Sequence, residues 1–182
     1  MQMEYETKRL VLRLCDSAYA AALLDFVKEN REDFAPWESA HPENFYTLAF
    51  QRQVLDAEFR AALKGDYIRY YFFRKDAPEK IAGTVSFSHI SRGEDRSCHL
   101  GYKTSHFSTG CGYTKEALQF LIAELFKDRH LHRIEADIMA ENQASLHLIE
   151  ALGFTYEGIA RGAHCIGGVW RDHLRYAKLA DD

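Results

Sequence analysis

Two short stretches combine residue types and spacings that could do chemistry. The first is Thr109-Gly110-Cys111-Gly112-Tyr113-Thr114, which lies between a strand-like segment and a helix-like one. A loop of small residues opening into a helix presents unpaired backbone N–H groups together with the positive end of the helix dipole, and this suits a pyrophosphate. Gly-x-Gly alone is a weak signal, because most such pairs are simply turns. The dinucleotide fingerprint needs a third glycine and a later acidic residue that are not properly placed here, and a Walker-type Lys-Ser/Thr is absent. The second stretch is Asn142-Gln143-Ala144-Ser145, ahead of an apolar run that closes at Leu152-Gly153-Phe154. Asn142 suits an N-cap, and Gly153 suits the left-handed position after the last turn, with Phe154 folding back on Ile149. Ser145 shares a face with Leu148, Ile149 and Leu152, which puts a hydroxyl at the top of a buried stripe; a purely structural serine fits the same spacing.

The elements that must position these residues follow from periodicity. Lys8 to Leu14 reads as a first strand, and Asp16 as the N-cap of a helix with Ala20, Leu23, Leu24 and Val27 on one face. A second helix is expected after Pro42, with Phe50, Val54, Ala57 and Ala61 on its apolar face and Gly65 ending it. Tyr67 to Arg74 and Ile81 to His89 form a hairpin around Asp76-Ala77-Pro78, with Tyr70 to Phe73 as sheet core. Cys98 to Thr104 is the fourth strand. The long helix that follows carries Leu118, Leu121, Ile122 and Leu125 on one stripe. Arg133 to Ile138 is the fifth strand, and a short helix over 142–152 separates it from strands at 154–166 and 169–179. The order β-α-α-β-β-β-α-β-α-β-β is an α+β sheet with one strand-loop-helix-strand crossover.

Composition bounds the function. The 182 residues, 47% hydrophobic and 27% charged with only 3 prolines, describe one ordered domain spanning 1–182, with no linker, low-complexity tract or repeat to begin a second. The four cysteines are scattered and form no C-x-x-C pair, so neither a zinc ribbon nor a thioredoxin-type centre is expected, and no metal. The longest apolar run, Ala18 to Leu24, is far below the roughly 20 residues of a membrane span. The first residues lack the basic and apolar regions of a secretory signal, so the expected location is cytoplasmic. With 23 basic against 27 acidic residues, net −4, a broad phosphate-backbone interface is not expected and cationic partners fit better.

Taken together, the segment 109–117, Asn142-x-x-Ser145, Leu152-Gly153-Phe154, Glu157-Gly158 and Arg161 resemble the GNAT N-acetyltransferases, in particular their RimJ/RimL branch. The likeness spans nearly the whole chain, since Thr7-Lys8-Arg9-Leu10-x-Leu12-Arg13 and Asn30 to Trp37 match the same branch. The resemblance implies a GNAT fold, with a mixed, mostly antiparallel sheet of seven strands, about four flanking helices and acetyl-CoA between splayed fourth and fifth strands. The pyrophosphate would lie on the amides of Thr109, Gly110, Cys111, Gly112, Tyr113 and Thr114, and the pantetheine arm along Tyr102, Lys103 and Thr104. One departure is Phe107, where the family often carries Gln or Arg.

Acetyl transfer to an amine requires a neutral nitrogen, donors for the oxyanion and a proton for the departing thiolate. Backbone N–H near Tyr102 or Lys103 would serve the oxyanion, and Asn142 and Ser145 are the polar groups expected beside the sulfur, Ser145 being the candidate donor to it. The candidate bases are Glu157, which matches the family's Glu-Gly, and His164, whose ordinary pKa of about 6.5 suits proton uptake; a strand brace and a surface histidine are their plain alternatives. Glu29, Glu32, Asp33, Glu38 and Glu43 surround Trp37 with only Arg31 opposing them; the resemblance puts this segment near the family's acceptor site, where it would favour a cationic acceptor, while a merely solvated acidic face is the plainer reading of the same charges. The expected partner is an amine acceptor, first a protein or peptide N-terminus, then a small amine such as a polyamine, aminoglycoside or amino-acid-like molecule, with no nucleic acid and no membrane. A homodimer and a non-catalytic acyl-CoA-binding module are left open.

Overall fold

In a computed structural model, residues 2–182 are described, and they form one eight-stranded sheet with helices on both faces. The strands are β1 (Glu4–Glu6), β2 (Leu10–Arg13), β3 (Ile68–Arg74), β4 (Ala77–Ser88), β5 (Ser97–Thr104), β6 (Arg133–Ile138), β7 (Thr155–Ile166) and β8 (Val169–Leu179). They run in the order β1-β2-β3-β4-β5-β6-β8-β7. The α-helices are α1 (Ala20–Glu29), α2 (Arg31–Phe34), α3 (Leu48–Lys64), α4 (Tyr113–Arg129) and α5 (Gln143–Glu150). The expected α+β architecture is present, with one more strand and one more helix than the sequence reading counted. The extra strand β1 has only three residues, and the extra helix α2 only four, too short for periodicity to reveal.

The aromatic block of β3 explains the two-sided packing. Tyr70 and Phe72 join a core with Leu118, Leu121, Ile122 and Leu125 of α4 and Leu146 and Ile149 of α5. Tyr71 and Phe73, pointing the other way, join Leu23, Phe26 and Val27 of α1 and Leu55 of α3. Alternate side chains of a strand face opposite sides, so a strand apolar at every position needs cover on both.

Helix α3 corrects one detail. Thr47 caps it and Gly65 ends it, but its buried positions are Gln51, Leu55 and Ala62, one residue beyond the expected Phe50, Val54 and Ala61, and the expected Ala57 is exposed. The buried polar Gln51 donates from Nε2 to Phe45 O (2.6 Å), and this offsets the cost of burying an amide.

The feature that positions the site is the parting of β5 and β6. They are the one parallel pair, joined only over Ser97↔Arg133, Cys98↔Ile134 and His99↔Glu135. Beyond His99 each strand stays with its outer neighbour, β5 with β4 through Thr104↔Gly83 and β6 with β8 through Ile138↔Leu174. The sheet therefore opens into a V without losing the outer ladders, and the inner backbone edge of β5 is left without a strand partner. No helix among the described residues is long and apolar enough to cross a membrane.

Candidate functional site

The loop on one wall of the V is shaped by its glycines. Gly110 and Gly112 have φ of 75° and 74°, left-handed values that other residues adopt only with strain. Gly112 is also the N-cap of α4, and the first helical bond in this stretch is from Glu116 N–H to Gly112 O (3.1 Å). The amides at the start of α4 therefore precede the helix's own ladder and are aimed outward. The loop is anchored at both ends. Thr104 Oγ1 and Thr114 Oγ1 are 2.5 Å apart, and Arg9 Nη1 donates to Cys111 O (2.9 Å).

The second wall comes from α5. Asn142 Oδ1 accepts the N–H of Ser145 (3.1 Å), which fixes the first turn, while Gly153 takes φ 79° and Phe154 N–H returns to Ile149 O (3.2 Å). The hydroxyl of Ser145 makes no hydrogen bond among the described residues, whereas its carbonyl accepts from Tyr102 Oη (3.2 Å). That bond ties β5 to α5 across the parting of the strands. Burial pushes the Tyr102 hydroxyl up, so it stays protonated as the donor.

The third wall is the segment after α1. Asn30, itself buried, accepts the backbone N–H of His106 on Oδ1 (2.7 Å) and donates from Nδ2 to Phe26 O (2.7 Å). Lys103 donates to Glu38 Oε2, and His41 Nε2 lies 2.7 Å from Glu38 Oε1. Burial pushes the Glu38 carboxyl up, but Lys103 and His41 outweigh it and hold the group below the ordinary carboxylate range.

These walls enclose a cleft of about 530 Å³. Among the residues singled out in the sequence, it gathers Asp33, Trp37, Glu38, Tyr102, Lys103, Thr104, Thr109, Gly110, Gly112, Thr114, Asn142 and Ser145. His106, Ser108 and Lys115 also line it; their place within or beside the loop was the available signal. Cys111 and Tyr113 belong to the loop but do not line the cleft: Cys111 is exposed, and the Tyr113 ring lies under Arg9 (4.5 Å). Glu32 is exposed and outside it. Phe107 is also outside, its ring against His106 (3.7 Å).

The two candidate bases are not brought to the cleft. Glu157 pairs with Arg133 through both carboxylate oxygens, and these bonds hold it below the ordinary carboxylate range. Arg133 begins β6, at the closed end of the V, five residues before Ile138; at about 3.3 Å per residue this is roughly 16 Å from the open end. His164 stands on β7 with Nε2 3.6 Å from Asp137 Oδ2, and Asp137 is engaged at Oδ1 by Arg175 (3.1 Å). Within the acidic rim Lys103 offsets the charge of Glu38, and His106 Nδ1 lies 3.6 Å from Asp33 Oδ2.

The comparisons with known proteins agree with this arrangement. Residues 9–155 match the acetyltransferase (GNAT) domain family. The [ribosomal protein uS5]-alanine N-acetyltransferase of Escherichia coli (strain K12) is 35% identical over 178 residues, covering 97% of this chain and 90% of that protein. The solved ribosomal-protein-S5-alanine acetyltransferase of Vibrio fischeri superposes with a TM-score of 0.93 at 31% identity, over 100% of this chain and 98% of that one. Mycobacterium smegmatis RimJ, solved in complex with CoA-disulfide, gives 0.88 at 25% identity, over 94% and 82%. With the family domain spanning most of the chain and the parted strands, glycine loop and capped α5 in their expected places, this protein belongs to the GNAT acetyltransferases, within their RimJ/RimL-like members, and is an acyltransferase.

Proposed function

We propose that this enzyme transfers acetyl from acetyl-CoA directly to the α-amine of a protein N-terminus. The observation that carries this reading is the cleft where β5 and β6 part, with outward amides and the free Ser145 hydroxyl on one side and Trp37 and Glu38 on the other. The alanine N-acetyltransferase names of the similar Escherichia coli and Vibrio fischeri proteins support a protein acceptor.

The residues fit the cosubstrate. Left-handed Gly110 has no heavy atom within 4 Å of where a Cβ would stand, so a large anionic group can approach its backbone. In this reading the amides of residues 109–114 hold the pyrophosphate and the unpaired edge of β5 at Tyr102, Lys103 and Thr104 holds the amide-bearing arm. Acetyl-CoA supplies an activated thioester. Ser145 donates its hydroxyl proton in a hydrogen bond to the sulfur, and Asn142 keeps Ser145 at the head of α5.

The acceptor's proton needs little help. An α-amine has a pKa of about 7.7–8.0, so a large fraction is neutral at pH 7–8, whereas a lysine amine near 10.4 would demand a strong base. This is consistent with a cleft that neither Glu157 nor His164 lines. A panel of peptides with varied N-terminal residues, polyamines, aminoglycosides and free amino acids, read by thiol release and product mass, tests the proposal. Acetylation at the peptide N-terminus with the highest kcat/KM supports it, and a preference for any small amine overturns it in favour of the small-molecule reading.

A further inference from the structure

Glu38 and Lys103 face one another inside the cleft, and their surroundings describe a cation site. The carboxylate is fixed: His41 is bonded to Oε1, and the His41 ring is itself stacked on Phe45 at 3.6 Å and 7°. The Glu38 side chain is 17% exposed and that of Lys103 36%. Lys103 Nζ donates to Oε2 and lies 5.1 Å from the centre of the Phe34 ring, whose face is a second attraction for an ammonium. Trp37 completes this side of the cleft. An ammonium is thus already seated between a carboxylate and an aromatic face, in the cavity that also holds Ser145.

We propose that Glu38 is the anchor at which the acceptor's α-amine docks as its ammonium, giving up its proton to solvent before attack, and that Lys103 occupies this subsite as an internal stand-in which the acceptor displaces. The inference rests on the reading above that the acceptor is an α-amine. The two partners are unequal in a way that permits exchange. Glu38 is held by His41 and half-buried, whereas Lys103 sits on a long flexible stem with a third of its side chain in solvent, so it can leave and be rehydrated. Its backbone is fixed in β5 opposite Thr84, so the side chain moves without disturbing the strand. Displacement gives selectivity as well as binding. A neutral, already acetylated N-terminus cannot replace the ammonium that Glu38 would lose, so product is rejected and free amine retained.

The test measures binding rather than turnover. An N-terminal-alanine peptide, and the same peptide already acetylated, are titrated calorimetrically into the CoA-loaded protein and into Lys103→Met, Lys103→Gln and Glu38→Gln. Both lysine variants should bind the free-amine peptide several-fold more tightly and the acetylated peptide unchanged. Glu38→Gln should weaken the free-amine peptide on the order of tenfold, as expected for losing a charged hydrogen-bond partner, and adding Lys103→Met should then have no effect. Having two lysine variants guards against one that folds poorly. The proposal is overturned if both leave the free-amine peptide unchanged or weakened, or tighten both peptides equally. Thiol release by the parent protein is scored separately. If no α-amine peptide is acetylated, the functional reading falls; if acetylation occurs without the tightening, this inference falls alone.

Discussion

Arg9 and Glu116, 107 positions apart, meet through Nε and Oε2 at 2.6 Å, and the same carboxylate accepts the Arg9 backbone N–H (2.8 Å) and Thr7 Oγ1 (2.6 Å). Glu116 lies in the first turn of α4, beside the glycine loop, and Arg9 also holds that loop by Cys111 O (2.9 Å). Unpaired, this carboxylate would leave a negative charge beside the glycine loop; the guanidinium offsets that charge and steadies the loop. Arg9→Ala should therefore raise the KM for acetyl-CoA several-fold with kcat nearly unchanged, while Arg9→Lys, keeping charge but losing the fork, should fall between. Initial-rate kinetics at saturating acceptor distinguish these outcomes, and an unchanged KM in Arg9→Ala would refute the role.

A Cβ at Gly112 would meet only Arg9 Nη2, at 3.5 Å, so substitution there is opposed by backbone conformation more than by space. A left-handed L-residue costs roughly 1–2 kcal/mol, most for a β-branched side chain. Gly112→Val should raise the KM for acetyl-CoA strongly and lower Tm modestly. Gly112→Asn, which tolerates this conformation, should retain more of both. Equal effects from the two variants would show that bulk at the loop, rather than its φ, is decisive.

Ser145→Ala should lower kcat by about 10²-fold, the lower part of the range for acid–base groups, with native circular dichroism, because the cap of α5 uses the Ser145 amide and not its hydroxyl. Asn142→Ala instead removes the cap, at a cost of about 0.5–2 kcal/mol, and should lower Tm as well as kcat. Parental turnover in Ser145→Ala would reduce Ser145 to a helix residue.

Glu157 is predicted to be a brace. Its hydrogen bonds to Arg133 lower its folded pKa, so their contribution is fully present above the ordinary carboxylate pKa and fades as pH falls through the depressed folded value. Glu157→Gln should leave kcat and its pH profile at pH 6–9 unchanged. It should lower Tm slightly at neutral pH, with the gap closing in acid. A loss of kcat beyond about tenfold would restore Glu157 as a catalytic group.

The four cysteines should divide by environment. Burial pushes Cys98 up to about 12 and Cys15 higher still, whereas Cys111 is exposed in the glycine loop. Iodoacetamide followed by peptide mass analysis should modify Cys111 and spare Cys15 and Cys98. Labelling of Cys15 or Cys98 as fast as that of Cys111 in the folded protein would overturn this division.

The sequence by itself determined whatever is written within a few residues. The stripe Leu118, Leu121, Ile122 and Leu125 specified α4, Asn142 and Gly153 bounded α5, and the glycines at 110 and 112 marked a loop of small residues opening into α4. Caps, periods and left-handed turns are local energies, legible without knowing what lies opposite. The tertiary structure decided everything that depends on a distant partner. Glu157 gained Arg133 from the strand across the sheet's closed end, Glu38 gained Lys103 from a strand 65 positions away, and the loop gained Arg9 from the far end of the chain. Only three residues pair to make β1, and α3 turned a polar Gln51 inward because Phe45 O was there to satisfy it. Charges and hydrogen-bonding groups act through space over a few ångströms, and proximity in space between residues far apart in the chain is what folding creates.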